Sequence, residues 1–123
     1  MKGNLKCPHF EGELDPKLLE VVHNLENYII EGKKYSELFG ELVVTSGGRC
    51  PECNKKVGGK PTSAHLKGKA LDIAVTGGSR EWFWTIKILL QLGVRRIGIA
   101  PKRNFLHFDV DEEKPQDVIW FYT

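Results

Sequence analysis

The chain has 123 residues, 41% hydrophobic and 28% charged, with 18 Lys+Arg against 16 Asp+Glu for a net charge of +2. That length suits one domain, expected to span 1–123 and to bury most of its apolar surface without repeats or staples. The composition excludes a disordered chain. The small positive excess leaves no electrostatic footprint for nucleic acid, and no apolar run is long enough for a transmembrane helix. The three cysteines are an odd number, which excludes a fully paired disulfide framework.

Residues 1–14 read as an irregular lead-in, and residues 1–20 show no apolar segment of the kind a secretory leader needs. Asp15-Pro16 is a helix start, with Asp as N-cap and Pro at the first helical position. Leu18, Val22, Leu25 and Ile29 follow at helical spacing, and Gly32 is the expected stop. Leu42 to Thr45 reads as a short strand. Residues 46–69 carry Gly47, Gly48, Gly58, Gly59 and Gly68 and have no periodicity, so a long functional loop is expected there. Ala70 to Val75 is the next strand. Ser79 is placed to cap a helix running to about Leu92, with Phe83, Ile86, Leu89 and Leu90 as its apolar residues and Gly93 as its end. Ile97–Ile99, Phe105–Val110 and Val118–Tyr122 are further strands. The irregular alternation and short strand links predict an α+β domain: a small, mostly antiparallel sheet with two main helices.

Two segments carry the chemistry. In the first, His65 ends the loop and Asp72 lies inside the following strand, sharing a face with the small Ala70 and Ala74. A buried carboxylate has to be paired, protonated or bound to metal. In the second, His107 and Asp109 fall on one strand face, with Phe108 and Val110 on the other. Two histidines and a carboxylate are a normal ligand set for catalytic zinc, which keeps a fourth position for water.

The pattern Ser63-x-His65-x-x-Gly68-x-Ala70-x-Asp72, with Phe105-x-His107-x-Asp109-Val110 downstream, resembles the zinc D-alanyl-D-alanine carboxypeptidase and murein endopeptidase family. That family shares its fold with the hedgehog signalling domain. Thr45-Ser46-Gly47-Gly48-Arg49-Cys50-Pro51, Asn54 and Val57-Gly58-Gly59 extend the likeness, which covers about Leu14 to Val110. The resemblance implies Zn2+ on His65, Asp72 and His107. It implies peptidoglycan peptides as substrate, with hydrolysis through a zinc-activated water. It also implies substrate contact for Arg49, a fixed positive fork suited to an oxyanion, and puts Ser63, in a positional role, and Asn54 among the substrate-binding residues. Relatives carry an acidic base three positions before the late histidine or a histidine two before it; here those positions hold Asn104 and Phe105. Asp109 remains and is expected to be the catalytic base, with an anchor for a ligand histidine as the other reading.

The rival readings are a zinc-holding binding module without catalysis and a phage structural part. A monomer is expected, and a phage-type lysin is one route to the cell wall. The lysines around the site (Lys55, Lys56, Lys60, Lys67 and Lys69) are either a solvated face or an attraction for anionic polymer. Cys7, His9, Cys50 and Cys53 together make a Cys3His set that would suit a second, structural zinc. A Cys50–Cys53 or Cys7–Cys50 disulfide, or plain thiols, are the other readings.

Overall fold

The computed structural model describes residues 1–123. Eight strands and four helices follow one another in the order β1 (Lys2–Gly3), α1 (Pro16–Glu26), β2 (Ile29–Ile30), β3 (Lys33–Lys34), α2 (Tyr35–Phe39), β4 (Val43–Ser46), α3 (Pro51–Lys56), a 3-10 turn (Ala64–Lys67), β5 (Ala70–Ala74), α4 (Ser79–Gln91), β6 (Arg96–Ala100), β7 (Phe105–Asp109) and β8 (Val118–Phe121). Six strands form one sheet in the order β1-β4-β5-β7-β6-β8. The three central pairings are antiparallel, and the two outer ones, β1 on β4 and β8 on β6, are parallel. The architecture is the expected α+β class, and no helix is long and apolar enough to cross a membrane.

Period-two alternation divides the sheet. Leu71, Ile73, Ile97, Ile99, Leu106 and Phe108 belong to the buried core, together with Leu18, Val22 and Leu25 of α1 and Ile88 and Leu89 of α4. The intervening positions, among them Asp72, His107 and Asp109, therefore point to the opposite face. One face of the sheet is covered by helices, and the other carries polar chemistry.

α1 begins as expected. The Asp15 carboxylate accepts from the Lys17 N–H at 2.9 Å, and Pro16 is the first helical residue. It stops earlier than Gly32, at Glu26, where Asn27 donates through Nδ2 to the His23 carbonyl at 2.8 Å. The β-branched Ile29-Ile30 pair instead forms a small hairpin with Lys33-Lys34, leaving Ile29 exposed and Ile30 buried. In α4 the cap is Gly78 rather than Ser79, and the Glu81 carboxylate takes the Gly77 N–H at 2.9 Å. Its buried positions are Glu81, Thr85, Ile88 and Leu89, whereas Phe83 and Leu90 are 58% and 50% exposed. A polar threonine hides this face from an apolar pattern. Thr85 can be buried because its hydroxyl meets the Tyr35 hydroxyl at 2.8 Å and donates to the Glu81 carbonyl at 2.6 Å.

The lead-in is docked rather than loose. β1 adds an edge strand to β4, and Lys6 bridges Gly48 in parallel. The segment 46–69 is also more regular than expected, since it folds α3 and the 3-10 turn over the polar face of the sheet.

Candidate metal centre

One row of the sheet holds the site. Ser46 on β4 is registered with Asp72 on β5, Asp72 with His107 on β7, His107 with Gly98 on β6, and Gly98 with Trp120 on β8. His65 arrives from the 3-10 turn above. Ser63 caps that turn, its hydroxyl accepting from the His65 N–H at 3.2 Å. Gly68 closes it in a left-handed conformation (φ +68°), where a Cβ would lie 2.3 Å from the Glu13 carbonyl oxygen. Only glycine allows both that dihedral and that approach. The glycine of the pattern therefore delivers His65 onto the sheet.

His65, Asp72 and His107 are all buried, and each offers a donor atom within 4.8 Å of the others. His65 Nδ1 lies 2.7 Å from the Gly47 carbonyl oxygen, which can only accept, so this nitrogen carries the proton. His65 Nε2 then presents a lone pair to Asp72 Oδ1 at 3.2 Å. His107 lies between two carboxylates, with Nε2 2.8 Å from Asp109 Oδ2 and Nδ1 2.9 Å from the same Asp72 oxygen. With its proton on Nε2, Nδ1 presents a lone pair to that oxygen. In that tautomer two imidazole lone pairs and a carboxylate oxygen converge on one buried point. Without a cation between them these groups repel, unless each ring takes a second proton. The donor set is that of a catalytic zinc site, and the outer hydrogen bonds that fix the tautomers are the usual partners of metal-binding histidines.

With no cation between the groups, the electrostatics favour protons on the rings. Burial works to raise the Asp72 carboxyl, but hydrogen bonds to His107 and His65 outweigh it and hold the group well below the ordinary carboxylate range. Burial disfavours charge on His107, yet Asp109 and Asp72 on its two nitrogens leave it raised. Asp109 is opposed by burial as well, and His107, the Asp111 N–H and Arg96 together hold it low.

Asp109 has no free oxygen aimed at the centre. Oδ2 faces His107, while Oδ1 accepts from Arg96 Nε at 2.8 Å and from the Asp111 N–H at 3.2 Å. Arg96 in turn lies 5.0 Å over the Trp120 ring. Asn104 sits exposed in the β6–β7 turn with φ +55°, a conformation asparagine tolerates.

Arg49 is held beside Asp72 by three groups. Its Nε donates to Ser46 Oγ at 2.9 Å, Nη1 to Asn54 Oδ1 at 3.2 Å and Nη2 to Asp72 Oδ2 at 3.4 Å. Asn54 is itself buried and donates to the Lys60 carbonyl at 2.9 Å. Asn54 and Ser63 are therefore engaged in shaping the loop around Arg49 and His65. Lys67 is paired with Asp111 at 3.0 Å and Lys69 with Asp15 at 3.0 Å, so neither is a free cation; Lys55, Lys56 and Lys60 are exposed. Cys7, Cys50 and Cys53 are gathered into a second cluster, which His9 does not join.

Tyr122 and Trp120 were not singled out by the sequence as site residues. Their rings stand 6.4 Å and 5.4 Å from that of His107. Gly98 makes this possible, because a Cβ there would come within 2.7 Å of both rings. Burial raises the Tyr122 phenol, which therefore keeps its proton at neutral pH. The signal was available in Gly98, a glycine in a strand interior that marks close approach by another group.

The fold and this centre define a zinc-peptidase type of domain. A family model described as Peptidase M15 matches residues 11–109, and the chain belongs to that family of zinc-dependent peptidases. Searches of curated proteins and of solved structures gave no match.

Proposed function

We propose that the chain hydrolyses peptide bonds of peptidoglycan stem peptides, as a D,D-carboxypeptidase or endopeptidase, with zinc held by His65, Asp72 and His107. The observation that carries this reading is the convergence of two imidazole nitrogens and one carboxylate oxygen on a single buried point beside a fixed guanidinium. Zinc bound there supplies Lewis-acid chemistry, polarising the scissile carbonyl and acidifying water. Arg49 binds the substrate's carbonyl or terminal carboxylate, with its fork aimed by Ser46 and Asn54. Tyr122 retains its phenolic proton and donates a hydrogen bond to the substrate across the ring of His107. Asp109 acts as a positioning residue: it keeps the His107 proton on Nε2, so that Nδ1 stays free to ligate. Trp120 walls the β8 side of the centre.

A second reading rests on Asn104. A turn asparagine in place of an acid suits a module that holds zinc and binds cell-wall peptide without cutting it. Digestion of defined muropeptides by zinc-loaded protein separates the two. Release of D-alanine or of new amino ends, abolished by a chelator and restored by zinc, supports the peptidase. Zinc-dependent retention on intact peptidoglycan with no release overturns it in favour of the binding module.

A further inference from the structure

We propose that Cys7, Cys50 and Cys53 form a second, structural zinc site that fastens the N-terminal segment to the Arg49 loop. Their three sulfurs lie within 4.8 Å of one another, and none is in a disulfide. A tetrahedral zinc with three thiolate ligands spaces the sulfurs by ~3.8 Å, given a Zn–S bond of about 2.3 Å. A cluster whose sulfurs all lie within 4.8 Å of one another accommodates that spacing. Any disulfide would pair two of the sulfurs and strand the third, whereas a metal uses all three.

The surroundings are built for sulfur carrying negative charge. The Cys50 N–H donates to Cys7 Sγ at 3.2 Å, and the Cys53 N–H donates to Cys50 Sγ at 3.3 Å. Such hydrogen bonds orient and stabilise thiolate ligands. Cys7 is brought into place by the backbone, since its N–H donates to the Gly48 carbonyl at 2.8 Å, and the Gly48 N–H donates to the Leu5 carbonyl at 2.8 Å. Each ligating thiol that still holds a proton releases it to solvent as the metal binds. A closed structural site takes a fourth donor; His9, exposed and two residues beyond Cys7, stands outside the three-sulfur cluster.

The consequence concerns the substrate side of the His65 centre. Cys50 directly follows Arg49, and Cys53 directly precedes Asn54, which holds the guanidinium. Cys7, Cys53 and Arg49 border one surface groove. A metal on the three sulfurs would lock the segment that aims Arg49 to the N-terminal tail, adding to the β1 edge strand and the Lys6–Gly48 bridge.

The test uses the full chain, reduced, freed of metal and then reloaded. Wild-type protein should retain about two zinc per chain, and both Cys53→Ser and His65→Ala about one. Because zinc is spectroscopically silent, cobalt replaces it for assignment. Thiolate-to-cobalt charge-transfer absorption should appear in wild type and in His65→Ala and be absent from Cys53→Ser, while a site of two histidines and an aspartate gives no such band. Metal removal from His65→Ala should speed amide exchange in residues 2–7 and 47–57. Cys7→Ser, at the half-buried end of the cluster, serves as the second variant if Cys53→Ser does not fold. Retention of about one zinc by the wild type, with no charge-transfer band and three freely titrating thiols, overturns the proposal without touching the His65 centre.

Discussion

The two side-chain clusters differ in what holds them. Asp72 and His107 sit on neighbouring central strands, registered opposite each other with an antiparallel neighbour on either side. Their positions are fixed by the same ladder that builds the core. The cysteines hang on a parallel edge contact, a loop and a six-residue helix. The first cluster is preorganised by the fold. The second draws together segments that the fold holds only weakly, which is where a metal adds the most. Arg49 lies between them, bonded to Asp72 on one side and adjacent to Cys50 on the other.

The largest effects belong to the sheet-borne cluster. Asp72→Ala removes the one carboxylate both histidines face, so zinc at the centre and turnover should both fall to background, measured by metal analysis and muropeptide digestion. Normal activity in that variant would remove the basis of the zinc reading. Arg49→Lys keeps the charge and loses the fork. We expect kcat to fall by about 10²–10³ with zinc content unchanged, the scale of losing one oxyanion donor. If KM alone moves, Arg49 serves ground-state binding instead. Asp109→Asn probes the outer layer. As an anchor for His107 it should weaken zinc affinity by about 10–100-fold, and excess zinc should recover much of the activity. A base would show the opposite split, with zinc retained and turnover lost at every zinc concentration.

Legibility followed the same division. The alternation of 70–74 and 105–109 put Asp72, His107 and Asp109 on polar faces, and the glycines and prolines marked most strand ends. What could not be read was anything set by contact across the sequence. Burial of Thr85 depends on Tyr35, fifty positions away. Trp120 and Tyr122 reach the centre only because Gly98 leaves the space. The roles of Asn54 and Asp109 depend on Arg49 and Arg96, whose partners no local pattern specifies. Cys7 joins Cys50 because β1 pairs in parallel with β4, and a two-residue strand carries no periodic signal at all.

The mildest perturbation tests how the ligand loop is tied to the helical layer. The Asp15 N–H donates to the Gly68 carbonyl at 2.8 Å, and its carboxylate both caps α1 and pairs with Lys69, so one residue links the helix start to the turn that carries His65. Asp15→Ala should cost about 1 kcal/mol, the usual value of an N-cap, or about 4 °C in Tm. The Lys17 N–H, against a smaller effect of burial and with help from Lys69, holds the Asp15 carboxyl below its ordinary value. A depressed folded-state pKa means that this stability is present above the unfolded value of about 3.9 and is lost as pH falls through the folded one. The gap in Tm between wild type and Asp15→Ala should therefore be widest near neutrality and narrow on acidification below about pH 4. Melts of the two proteins across that range decide it. A gap independent of pH would assign the contribution of the Asp15 side chain to interactions that do not need its charge and would detach the ligand loop from the charge on α1.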